Sequence, residues 1–405
     1  MTPALLAPAT AFVRRYQLLS YAFLALIALI FISTSTQAYR NFFYFAVVPC
    51  FLLTLDRRVV AAVFESWVWR FAAFLLVYMW LTLFWSDTAG ASDIFGFARR
   101  VLSVLLYLTI LATLAATPGF TERLFRWIVA VAAIMAVQAL IARTSRWGWN
   151  PRIRLGARGF SDYQVTGAVY GMLLVAALYY LGKARTTIAE WRLFLAAMTL
   201  MALFVLSTQS RANWIVLAAM VILIAIITHE RWILIAIPIG IAIVLAFVAV
   251  GIWNAHLLSM PDNFYRVESW SHYLELWRRA PWFGVGADFN ATFRASNGVM
   301  VWRGHGVYLS YLAHGGIVGL VLFVLMLGAA VQVACRAFAT EGNFGLLAML
   351  LYIALLFTVD LEIFVLNAGW QWLLLWLPIG LVIGEQIRLV APAGDAASGG
   401  SAARR

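Results

Sequence analysis

The chain has 405 residues, 64% of them hydrophobic and only 11% charged, with a mean hydropathy of +0.90. A water-soluble protein of this length carries about 25% charged residues, so the composition excludes a soluble globular protein. It points to an all-α polytopic membrane protein, because outside closed barrels only helices satisfy their own backbone in lipid. The net charge is +12, and of the 29 basic residues a single one is lysine, Lys183. That arginine bias is first of all what a GC-rich gene produces, and arginines scattered between membrane spans do not make a nucleic-acid surface. Cys50 and Cys335 lie in or near apolar runs, so no disulfide framework is implied. Residues 1–10 lack an apolar core followed by a processing site, and the first span is expected to act as its own signal.

In chain order, continuously apolar runs predict about twelve transmembrane helices. They fall at about 16–32, 41–55, a third ending near 85, then 101–116, 124–142, 165–181, 191–206, 213–228, 232–253, 306–333, 344–359 and 363–387. The expected organisation is nine helices in 1–253 with an arginine-rich outer loop at 143–162, and a long outer loop at 254–305. Three helices follow in 306–390, then a disordered tail at 391–405. An even number of spans puts both termini on one side. Arg14/Arg15, Arg57/Arg58, Arg123/Arg126, Lys183/Arg185/Arg192, Arg231, Arg336 and Arg388 share that side, which the positive-inside rule makes cytoplasmic.

Two outer segments break the rule. The loop at 143–162 carries Arg143, Arg146, Arg152, Arg154 and Arg158, and the long loop carries Arg266, Arg278, Arg279, Arg294 and Arg303. Either a span is misplaced or the loops answer a local anionic ligand. Arg143, Arg146 and Arg152 have no assigned role. Within the long loop, residues 266–279 have helical period. Val267, Trp270, Leu274 and Trp277 fall on one face, with Arg266, Ser269, His272, Glu275 and Arg279 leaning to the other. Such a helix suits the bilayer interface or packs on the bundle.

The outer face gathers the candidates for chemistry. His305 stands at the start of the tenth run with an unshifted ability to accept a proton near neutral pH. Arg211 follows Ser210 where the seventh run yields to the eighth, a charge that needs a partner, a wet cavity or a snorkelling route. Arg154 and Arg158 are four apart, and Arg266 opens the loop helix; Arg303 is a weaker candidate. Arginines that hold a diphosphate, with a histidine that takes a proton from an attacking hydroxyl, describe glycosyl transfer from a polyprenyl-diphosphate-linked sugar. No metal and no cofactor is expected. Asp360-Leu361-Glu362 is a D-x-E that is more simply a solvated helix end than a metal site. Hydrogen bonding of Asp360 or Glu362 to an acceptor sugar, or to His305, is the other reading. His314 lies nine residues after His305, nearly half a turn out of phase, and is left out of the catalytic set.

Four places resemble the O-antigen ligase and O-antigen polymerase superfamily. His305-Gly306-Val307-Tyr308-Leu309 to Gly319 is similar to its C-terminal signature, although Gly306 and His314 depart from the usual asparagine and acidic residue. Pro281-Trp282-Phe283-Gly284-Val285-Gly286 is similar to its P-x-x-G-x-G, with Arg266 upstream. Ser210-Arg211 and the loop from Arg154 to Asp162 complete the match over about 150–320. The resemblance implies a GT-C-like glycosyltransferase architecture in a bacterial inner membrane, with a periplasmic active site. It implies an undecaprenyl-diphosphate-linked polysaccharide as donor, a lipid A–core sugar hydroxyl as acceptor and membrane lipids as surroundings. It further implies metal-independent inverting transfer, with His305 as base and Arg211, Arg266, Arg154 and Arg158 on the donor diphosphate. O-antigen polymerase and protein O-oligosaccharyltransferase are the alternatives within the superfamily. The absence of Arg-x10-Gly repeats and the single long loop favour the ligase. A small-anion transporter is the alternative of a different class, against which stands the lack of a six-plus-six internal repeat.

Overall fold

The computed structural model describes residues 17–147, 154–157, 159–160, 162–183, 187–228, 262–296, 298, 300–301, 304–362 and 368–390. The chain is helical almost throughout, in the order α1 (Leu18–Ile32), α2 (Thr36–Phe42), α3 (Val48–Thr54), α4 (Arg57–Glu65), α5 (Trp67–Leu81), α6 (Ala91–Ala115) and α7 (Phe120–Trp147). There follow α8 (Tyr163–Lys183), α9 (Ile188–Ser207), α10 (Arg211–Thr228), α11 (Asp262–Arg279), α12 (Val307–Glu341), α13 (Phe344–Val359) and α14 (Leu377–Val390). A π-helical turn, Phe43–Val47, joins α2 to α3, and a second, Trp372–Trp376, leads into α14. The sole described strands form a two-residue antiparallel pair, Phe293–Arg294 with Met300–Val301, in the loop between α11 and α12.

Among the described residues, six stretches are long and apolar enough to cross a membrane, and α1, α8, α10 and α13 carry shorter apolar stretches. The protein is thus polytopic, as expected. The expected ninth span at 232–253, the tail at 391–405 and residues Arg152, Arg158 and Arg303 lie outside the described residues. Several helices reach beyond their expected spans. The fourth begins ten residues early, at Ala91, where Asp93 accepts from the Gly90 amide (3.0 Å) and caps it. The fifth runs on to Trp147, so Arg143 and Arg146 belong to its last turns rather than to the loop. The short helix α4, capped by Asp56, was hidden inside what reads as a polar break.

The last helix is the centre of the bundle. Trp372 and Trp376 are fully buried, as is nearly every side chain from there to Ile383, which is what an all-round apolar helix requires. Trp372 meets Phe43 (4.8 Å) and Tyr107 (4.5 Å), and Tyr107 stacks on Phe23 (5.6 Å). The backbones of α14 and α6 approach closely through Gly380 and Gly384, a small-xxx-small spacing. A β-carbon at Gly384 would lie 2.4 Å from that of Ala115.

α11 packs on the first turns of α12, not with the face read from the sequence. Ser269, Tyr273 and Leu276 are the buried stripe, with Tyr273 and Leu276 against Ala313, while Val267 is 61% exposed. The packed-helix reading therefore holds for that stripe. The tyrosine outweighs the tryptophans because its ring fits against Gly304, where a β-carbon would meet it at 2.5 Å.

Candidate active site

The stretch from His305 to Gly319 divides into two parts with different tasks. The second part is a joint. α12 breaks at Gly316 (φ 66, ψ −166), which leaves carbonyls before the break and amides after it without helical partners. The segment Pro281–Gly286 supplies them. Val285 N donates to Ala313 O (3.0 Å), Gly286 N to His314 O (3.0 Å), Ile317 N to Pro281 O (2.9 Å) and Val318 N to Trp282 O (3.2 Å). Tyr78 Oη donates to Gly315 O (2.6 Å), and Trp85 Nε1 to Gly284 O (3.2 Å). Gly284 (φ 74) lies so close that a β-carbon would sit 2.3 Å from the His314 carbonyl carbon. His314 is buried with Nδ1 2.8 Å from Gly286 O. The docked segment closes the space at Gly316, where a β-carbon would sit 2.3 Å from Trp282 O.

The first part lies beside Asp360, Arg266 and a cavity. His305 has φ 46 and Leu361 φ 67, left-handed conformations that cost on the order of 1–3 kcal/mol each without glycine. The carbonyl of His305 is held by Trp270 Nε1 (2.9 Å) from α11. Its ring Nδ1 lies 3.4 Å from Asp360 Oδ1, and Arg266 Nη2 lies 3.7 Å from Asp360 Oδ2. Asp360 is 1% exposed, at the end of α13, with its Oδ1 also accepting from the Leu361 amide (2.9 Å). The buried carboxylate thus lies between the Arg266 guanidinium and the His305 imidazole, and a carboxylate on one ring nitrogen orients the ring. Two residues on, Glu362 Oε1 accepts from Tyr273 Oη (2.8 Å), and burial, with the neighbouring Glu362, pushes that phenol above its usual range.

Next to this pair lies a cavity of about 480 Å³. Arg154, Arg211 and Arg266, from three segments far apart in sequence, all line it, with Gln164, Gln209 and Ser210. Arg154 lies 4.5 Å over the Tyr163 ring, and Leu155 N donates to Ser207 O (3.2 Å), tying the loop to the end of α9. Arg211 is the first residue of α10, so the amides of that helix's first turn and a guanidinium face the same space, the ordinary setting for an anion. Arg211 Nη2 is buried and has no hydrogen-bond partner among the described residues. Beneath it, Asn213 donates to Ser210 Oγ (2.8 Å) and Gln164 O (2.9 Å) and accepts from Tyr352 Oη (3.3 Å). That network locks the turn before α10. The floor is apolar: Ile215, Val216, Leu355 and Val359. Below it Ile215, Ile222 and Ile226 continue as an exposed stripe along α10.

Three of the four expected diphosphate arginines are thereby brought together, and Arg158 lies outside the described residues. Asp360 joins them through Arg266 and turns toward His305; His305 itself adjoins the cavity and does not line it. Gln164, Gln209, Tyr163 and Asn213 escaped the sequence reading. Asn213 had a signal, an amide side chain inside an apolar run, while the others had none.

Residues 196–324, which hold Arg211, Arg266, His305 and the docked joint, match a family described as O-antigen ligase. The chain is also similar to the O-antigen ligase of Pseudomonas aeruginosa, with 26% identity over 323 residues, covering 77% of this chain and 76% of that protein. Residues 196–324 of this polytopic chain are thus similar to a family described as O-antigen ligase, and the likeness to the Pseudomonas aeruginosa protein extends over 77% of the chain.

Proposed function

We propose that the protein is an O-antigen ligase, transferring a polysaccharide from undecaprenyl diphosphate to a sugar hydroxyl of lipid A–core. The observation that carries this reading is the convergence of Arg154, Arg211 and Arg266 on one cavity beside His305. In it the diphosphate lies at the N-terminus of α10 among the three guanidiniums, and the polyprenyl chain follows the apolar stripe along α10. The acceptor hydroxyl meets Nε2 of His305. As its oxygen bonds to the anomeric carbon, its proton passes to Nε2, and the bond from that carbon to the phosphate oxygen breaks. Undecaprenyl diphosphate leaves with the bonding pair, and the arginines offset its growing charge. One displacement inverts the anomeric configuration. Asp360 holds the imidazole and stabilises the imidazolium. Guanidiniums carry out the charge neutralisation, so no metal is required. The site is assigned to the periplasmic face and both termini to the cytoplasm, on the arginine distribution.

The test is purified protein in liposomes with lipid-linked polysaccharide and lipid A–core. The expected product is polysaccharide on the core, with full activity in EDTA. Lengthened chains still on the carrier would replace this reading with a polymerase. Loss in EDTA rescued by Mg²⁺ would overturn the metal-independent step.

A further inference from the structure

α11 ends in Arg278 and Arg279, both exposed, and neither is in an ion pair among the described residues. Three residues on, the docked segment presents Trp282 and Phe283 outward, 64% and 58% exposed. These rings do not dangle. Their backbone is held by Val318 N on Trp282 O (3.2 Å) and Tyr78 Oη on Phe283 O (3.2 Å). Trp85, 43% exposed at the end of the span formed by α5, stands 6.2 Å from the Phe283 ring. A rigid patch of aromatic rings at a span end, with two arginines beside it, has the chemistry of a bilayer–water boundary where phosphates meet apolar chains. At the other end of the same helix, Arg266 reaches Asp360 and the diphosphate cavity. Thirteen residues of helix separate Arg266 from Arg279, about 20 Å. The helix therefore sets the exposed arginine pair about 20 Å from the arginine at the cavity.

We propose that Arg278, Arg279, Trp282 and Phe283 are the docking surface for the phosphate-bearing lipid end of the acceptor, and that α11 spaces it from His305. This rests on the ligase reading. Two adjacent guanidiniums fit two phosphates on one glycolipid, the rings lie against its acyl chains, and its sugars run along α11 to the reacting hydroxyl.

The experiment uses full-length protein in liposomes of neutral phospholipid, with acceptor carrying or lacking its lipid A phosphates. Binding of labelled acceptor is measured without donor, and KM and kcat with donor saturating. For Arg278→Gln with Arg279→Gln, affinity for the phosphorylated acceptor and its KM are expected to worsen about tenfold. kcat and the dephosphorylated acceptor are expected to be unchanged. Trp282→Ala is expected to weaken both acceptors alike. Equal loss for both acceptors in the arginine variant, or no loss, would overturn the proposal. So would a loss that appears only when anionic phospholipid is added, which would mark the patch as a bilayer anchor. If the wild type transfers nothing, the ligase reading fails, and the binding arm still decides whether the patch recognises phosphates.

Discussion

The two parts of the stretch from His305 to Gly319 solve opposite problems. From His314 onward, backbone groups freed by the break at Gly316 find partners on Pro281–Gly286, and His314 is bonded and enclosed. At His305 the protein keeps a left-handed backbone and ion-pair distances of 3.4 and 3.7 Å, and in the adjoining cavity a buried nitrogen of Arg211 has no hydrogen-bond partner among the described residues. A segment that is satisfied internally is mechanical, and one that is unsatisfied and strained waits for a ligand. One signature thus combines a clamp with the residue we propose as the base. The clamp sets the position of α11, and α11 holds Arg266 and the carbonyl of His305.

This contrast can be broken at either end. Gly316→Val strikes the clamp hardest, since its β-carbon would sit 2.3 Å from Trp282 O at a φ closed to valine. The variant should lose folded protein, seen as early aggregation on heating in detergent, and with it both donor binding and transfer. Asp360→Asn is aimed at the reactive end. It removes the counter-charge of Arg266 and the orientation of His305, and kcat should fall by about 10²-fold with normal thermal stability. A loss of folded protein instead would place Asp360 with the mechanical part. Arg211→Gln should raise the donor KM by about tenfold and flatten its salt dependence, with acceptor KM unchanged. Tyr273→Phe has the smallest effect, a few-fold in kcat, as Glu362 loses its donor. It also carries a pH signature. The folded-state phenol is raised above its unfolded value, so its share of stability is present below about pH 10 and lost as pH rises beyond. Thermal stability of Tyr273→Phe should therefore decline less steeply than wild type above that pH.

Much of the helical frame was legible because lipid demands long apolar runs. α13 was readable from end to end, since Asn343 and Asp360 bound sixteen uninterrupted residues. α6 was misjudged at its start because Asp93, Arg99 and Arg100 lie within it, and polar first turns look like loop to hydropathy. The break at Gly316 leaves no trace, for the run stays apolar through it. The arginines were found by their sign, on a face where the positive-inside rule predicts few. The pairing of His305 with Asp360 spans 55 residues, and no local pattern carries it. The buried face of α11 was misplaced because tryptophans outweighed Tyr273 in the pattern, whereas the fit against Gly304 decided the packing.

The central claim is that proton removal and diphosphate binding belong to separate groups. Donor binding and single-turnover transfer, measured side by side for His305→Ala in liposomes, test it most directly. The account predicts donor affinity within about twofold of wild type and transfer reduced by about 10²–10⁴-fold. Transfer near the wild-type rate, or donor affinity lost in step with transfer, would contradict it.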